Sequence, residues 1–248
     1  MRIPNFRSFR SNVPNMDSLA GHNRMTILYI IYFAVAAIEV AAEYFSYTPV
    51  IVVLKPLIPL MLIGFYHLAS TKREVLFYLA MLFSVITNLL FIPNSATWLL
   101  FGVIAFMIHR LFIISLIIKI IKIRDFIPAV LATIPLLVVF CYLLSITTEI
   151  PEVSFYLLIV QNVLISVLGG LALSTYLVND SKGNSWLLIC GLLFVALQFI
   201  VFIERYYLSG FSLQILRPIA MALNAFAFFT FYKFVLASEI SDNDGAAV

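Results

Sequence analysis

The chain has 248 residues, of which 63% are hydrophobic and only 11% charged, with a net charge of +3. A soluble domain carries roughly a quarter charged residues. So much apolar surface cannot be buried inside a globule of this length, which excludes a water-soluble fold and makes lipid the solvent.

Taken in chain order, apolar blocks separated by polar breaks predict an all-α integral membrane protein with eight transmembrane helices. The spans are expected at 25–45, 48–68, 75–93, 97–118, 126–147, 153–178, 185–206 and 212–236. Each meets the need for about 20 apolar residues to cross a bilayer. The first break, Ser46-Tyr47, is short, and Pro49 just after it suits a tight reversal. The second, Ser70 to Glu74, is the clearest polar loop. The others are Pro93 to Ser95, Lys119 to Asp125, Thr148 to Glu152, Asn179 to Asn184 and Tyr207 to Gly210.

Residues 1–24 form a polar tail without a short apolar core and cleavage site, so the first span is expected to be retained. Basic residues then set the orientation. The tail holds Arg2, Arg7, Arg10 and Arg24, and alternate loops hold Lys72 and Arg73, then Lys119, Lys122 and Arg124, then Lys182. Lys233 ends the last span, whereas the remaining loops offer Arg205 against Glu149 and Glu152. Eight spans gather every basic loop on one side, which predicts both termini in the cytoplasm. The organisation is then a tail over 1–24, a membrane domain over 25–236 and a tail over 237–248. From Ser238 to Val248 that second tail is acidic and reads as disordered. Cys141 and Cys190 lie in apolar stretches and read as packing residues. His22, His67 and His109 are too scattered for a metal motif, and no cofactor, metal or nucleic acid is expected.

Ionisable groups inside hydrocarbon are costly and mark a site by default. Here they are Glu39, Glu43, Lys55, His109, Arg110, Glu204 and Arg217, joined by Asn88, Gln161, Asn162, Gln198 and Asn224. Counting along alternating spans at about 1.5 Å per residue places most of them in the outer half, with His109 and Arg110 near the middle. This predicts a polar cavity opening toward the outer leaflet. Each residue also has a plain reading. Glu43 suits interfacial water. Lys55 could snorkel, pair with a buried carboxylate or bind an anionic head group. His109 could be a core histidine bonded to a carbonyl, or a proton-transfer group. Glu204, Arg205 and Arg217 could anchor at the interface, and Arg217 could instead hold a phosphate. The amides could simply join helices, and Gly169-Gly170 would let helices approach closely.

Several of these patterns resemble the YhhN family, which contains the eight-span lysoplasmalogenases. Lys55-Pro56-Leu57 is similar to its Lys-Pro motif, and Leu82-Phe83-Ser84 through Asn88 to its Leu-Phe-Ser-x-x-Gly-Asp pattern. Gly102, Phe106 and His109 resemble Gly-x-x-x-Phe-x-x-His, and Gly191 to Phe194 through Gln198 resembles Gly-x-x-Phe-x-x-Ser-Asp. The resemblance spans roughly residues 28–236. It implies cleavage of the vinyl ether of a lysoplasmalogen, a lysolipid partner and a bacterial inner membrane. The pattern's two aspartates are replaced by Asn88 and Gln198, which cannot exchange a proton near neutral pH. Glu204 lies about 240° further round its helix than Gln198 and cannot stand in for it. Glu39 and His109 are therefore the expected proton-transfer pair, with Lys55, Asn88, Gln161, Gln198 and Arg217 toward substrate. The other readings are a transporter or lipid-binding protein, and a structural partner whose polar cluster is closed.

Overall fold

The computed structural model describes residues 16–93, 95–121, 126–147, 152–207 and 215–245. Among these the chain folds as eight helices. They are α1 (Met16–Tyr44), α2 (Thr48–Ala69), α3 (Val75–Leu90), α4 (Ala96–Ile121), α5 (Ile127–Ser145), α6 (Glu152–Val178), α7 (Lys182–Tyr206) and α8 (Leu216–Gly245). Seven are long and apolar enough to cross a membrane, and the protein is an integral membrane protein. The exception, α3, has 16 residues and rises only about 24 Å, short of the about 30 Å hydrocarbon core.

Local chemistry explains the helix ends. Pro49 and Pro128 sit in the first turns of α2 and α5, where a missing N–H costs nothing. Ser181 caps α7, its Oγ accepting from the Asn184 N–H at 3.2 Å. The α1–α2 reversal is as tight as Ser46-Tyr47 implies, with Ser46 at φ 53°. Arg2, Arg7, Arg10, Lys122, Arg124 and Glu149 lie outside the described residues, as do 208–214, where the last span was expected to begin.

Packing places α8 at the centre. Two-thirds of its apolar stretch (67%) is buried, against 17% of that of α5, which packs chiefly on α6. On one side α8 meets α1 through a layer of rings: Tyr29 on Phe229, Tyr32 on Phe229 and Phe33 on Phe226. The Tyr32 hydroxyl donates to the Ala225 carbonyl at 2.8 Å. On its other sides Phe231 stacks on Phe77 of α3, and Phe228 meets Phe194 of α7. Helices in lipid gain nothing from hydrophobic exclusion of one another, so contact must come from close fit. Gly170 shows it: a Cβ there would come within 2.8 Å of the Thr133 nitrogen on α5. On the adjoining face, a Cβ on Gly191 would come 2.5 Å from that of Ala172. The Gly169-Gly170 pair thus does permit the close approach expected of it.

The C-terminal tail needs correction, whereas the first apolar span begins at Asn23, close to its expected start. Helix α1 already runs from Met16, and α8 continues to Gly245 where an unstructured tail was expected. The physical reason is Glu239, which is buried. Its carboxylate accepts from the Tyr66 hydroxyl at 2.6 Å, from the Ser70 hydroxyl at 2.8 Å and from the Thr71 N–H at 3.3 Å. The same tyrosine and serine oxygens accept from the Glu74 and Arg73 N–H groups, so the α2–α3 loop is wrapped around one α8 carboxylate. Glu239→Ala strands two hydroxyls and an amide. It is expected to cost about 2–4 kcal/mol, measured by thermal unfolding in detergent, with Glu239→Gln losing about half as much.

Candidate functional site

The polar residues predicted to line one cavity fall into separate groups. At the α1–α2 end, the Lys55 ammonium pairs with Glu43 at 2.7 Å, and both side chains are largely buried. Of the readings open for Lys55, pairing with a buried carboxylate is the one the structure shows, and Glu43 is that carboxylate. One turn along α1, Glu39 is completely buried, and neither carboxyl oxygen has a hydrogen-bond partner. Its charged neighbours are Lys55 and Glu43. A carboxyl group used only to join helices would be bonded, so Glu39 stands out.

Asn88 has a structural explanation. Pro59 lies inside α2 and has no N–H, so the Lys55 carbonyl four residues earlier loses its helical donor. The Asn88 side-chain amide donates to that carbonyl at 2.8 Å. Here a side chain from a neighbouring helix repairs a backbone group freed by proline.

His109 is also completely buried. Its Nδ1 lies 2.7 Å from the Ala80 carbonyl, which can only accept, so Nδ1 carries the proton and Nε2 is left with a lone pair. Nε2 has no partner. The ring stacks on Phe106 and meets Phe194 and Phe228 edge-on. Both readings of this residue are thus present in one side chain: a core histidine on one nitrogen, an unused base on the other. No hydrogen bond among the described residues joins it to Glu39.

Arg110 leaves α4 about 100° round the helix from His109, and both side chains pack on Phe106. The Arg110 guanidinium is fully enclosed and donates from Nη1 to the Gln161 side-chain oxygen, and from Nη2 to the Gln198 oxygen at 2.7 Å. It also lies 4.3 Å from the centre of the Phe106 ring. Gln161 in turn donates to the Val103 carbonyl at 3.2 Å, and Gln198 to the Asn162 oxygen at 3.4 Å. Gln161 and Gln198 therefore face Arg110. Arg217 pairs with Glu204 at 2.9 Å and is exposed, so both act at the surface.

These residues fall into separate groups rather than one cluster, and Glu39, His109, Arg110 and Asn162 each keep at least one polar atom without a partner. Two cavities lie away from these groups. One of about 120 Å³ is lined by Lys72, Glu74, Lys119 and Glu239 at the α2–α3 loop. Another of about 170 Å³ is wholly apolar, between Leu136, Gly169, Leu173, Gly191 and Leu192 of α5, α6 and α7. No three His, Cys, Asp or Glu side chains converge among the described residues.

Against this geometry, the YhhN family model matches residues 50–233. The chain belongs to the YhhN family. No curated protein and no solved structure matches it. The matched stretch takes in Lys55, Asn88, His109, Gln161, Gln198 and Arg217 of this YhhN protein, and leaves Glu39 outside it on α1. Reading the sequence missed Glu239, and it named Arg110 without its partners. A stripe of buried α8 residues, Phe228, Tyr232, Val235 and Glu239, keeps helical spacing past the apolar run and is the signal that would have found Glu239.

The proline account of Asn88 is testable. Asn88→Leu is expected to cost about 1–3 kcal/mol by leaving the Lys55 carbonyl bare. In a Pro59→Ala background, where a backbone N–H returns, most of that cost should vanish in a double-mutant cycle of thermal stability.

Proposed function

We propose that this YhhN protein crosses a bacterial inner membrane eight times, with both termini cytoplasmic, and hydrolyses the vinyl ether of a single-chain, lysolipid-like amphiphile. Glu39 carries the proposal: a fully buried carboxyl group with neither oxygen bonded. Ionisable groups at membrane depth mark function by default, and this one has no structural bond to account for it.

The chemistry asks for two proton movements. Protonated Glu39 gives its proton to the outer alkenyl carbon, and the ether oxygen shares the resulting positive charge with the adjacent carbon. Water adds to that carbon while His109 Nε2 takes its proton. The hemiacetal then collapses to an aldehyde: its O–H proton returns to the Glu39 carboxylate, and protonated His109 gives its proton to the departing glycerol oxygen. His109 is suited to the second role because the Ala80 carbonyl holds its other nitrogen protonated. The groups stand on α1 and α4, so the substrate itself would lie between them.

A second reading, lipid binding without catalysis, is favoured by one observation. Asn88 and Gln198, at the places of the family pattern's aspartates, are engaged by the Lys55 carbonyl and by Arg110.

Aldehyde release from alkenyl-lysophospholipid by the purified protein separates the two. Glu39→Gln is expected to lower the rate about 10²–10⁴-fold and His109→Ala at least tenfold. Full activity in Glu39→Gln sinks the proton-donor role. A folded wild type that binds lysolipid but releases no aldehyde establishes the second reading.

A further inference from the structure

Arg110 carries a permanent charge in complete burial, and everything that accepts from it is neutral. None of the ion pairs among the described residues includes it. Its presence sets the direction of every bond around it. A guanidinium only donates, so Gln198 must turn its oxygen toward Nη2 and its NH₂ group away. That NH₂ reaches the Asn162 oxygen, which leaves the Asn162 NH₂ with nothing to bond. Arg110 Nε is likewise without a partner. Both unmet groups are donors, both are buried, and they belong to one chain of side chains across α4, α6 and α7. A water could accept from them but would leave the charge in place.

We infer that Arg110, Asn162, Gln161 and Gln198 form an oxyanion site within the bundle, taking the carboxylate or phosphate of an amphiphile. The anion accepts from Arg110 Nε and the Asn162 NH₂ and supplies the missing negative charge. This site stands whether or not the protein cleaves a vinyl ether, because it uses neither Glu39 nor His109.

The test is thermal unfolding of the full chain in a neutral detergent, titrated with dodecyl phosphate, dodecanol or inorganic phosphate. Dodecyl phosphate is expected to raise Tm by about 5 °C near saturation, and dodecanol to leave it unchanged. An equal rise with inorganic phosphate assigns the site to a free oxyanion, and a rise with dodecyl phosphate alone assigns it to a lipid. Arg110→Gln should abolish the response. Should that variant fail to fold, Asn162→Asp decides. It keeps the oxygen that Gln198 bonds and adds the missing carboxylate, so it should melt higher than wild type without any probe and ignore dodecyl phosphate. No response to either phosphate overturns the site. So does a response in Arg110→Gln equal to wild type, or one in Asn162→Asp undiminished from it.

Discussion

A polar side chain inside a bilayer has no water to return to, so each one must find its partner within the protein. The bundle is arranged by that constraint more than by apolar attraction, since lipid tails are as good a neighbour as leucine. Four polar knots hold it: Glu43 with Lys55, Asn88 with the Lys55 carbonyl, Arg110 with Gln161 and Gln198, and Glu239 with Tyr66 and Ser70. Each ties helices together, and the last three join segments more than thirty residues apart. Around them the aromatic layer and the glycine contacts supply close fit.

Much of this fold was readable. Apolar runs of about twenty residues are forced by bilayer thickness, so most helices fall within a few residues of their expected bounds. Gly169-Gly170 announced a close approach because small side chains in a membrane helix have little else to do. Partner choice was not readable. Glu39 and Glu43 share a helix face at equal spacing, and nothing in the order of residues says which meets Lys55. The burial of Glu239 depends on the α2–α3 loop folding over α8, a tertiary fact that local polarity contradicts. The grouping of the polar residues was hidden for a related reason. Depth along the membrane can be counted from the sequence, but convergence at one depth does not distinguish a group facing an opening from one facing its neighbour.

The two amides that stand in place of aspartates illustrate how neighbours redefine a position. An ionised aspartate at 88 could not donate to the carbonyl that Pro59 exposes, whereas Asn88 does. An aspartate at 198 would close a buried ion pair with Arg110 and lock both charges. Gln198 keeps the contact and leaves the guanidinium charge unspent. Each substitution therefore fits a local requirement, and neither is a bare loss.

It follows that the unresolved electrostatics of the bundle lie on two different walls. Glu39 belongs to the α1 side, against Lys55 and Glu43, where an ionised carboxyl would leave a net negative charge. Arg110 belongs to the α4, α6 and α7 side, where the surrounding amides leave a net positive one. A charge at the centre of a membrane helix costs on the order of 3 kcal/mol even on lenient scales. Neither wall can relieve the other by contact, because no hydrogen bond or ion pair among the described residues joins them. A proton suffices for Glu39, since a carboxyl group becomes neutral by taking one. Arg110 has no such route, since a guanidinium does not give its proton up. A proton would therefore balance the acid, whereas the guanidinium calls for the anion from outside the chain that we infer.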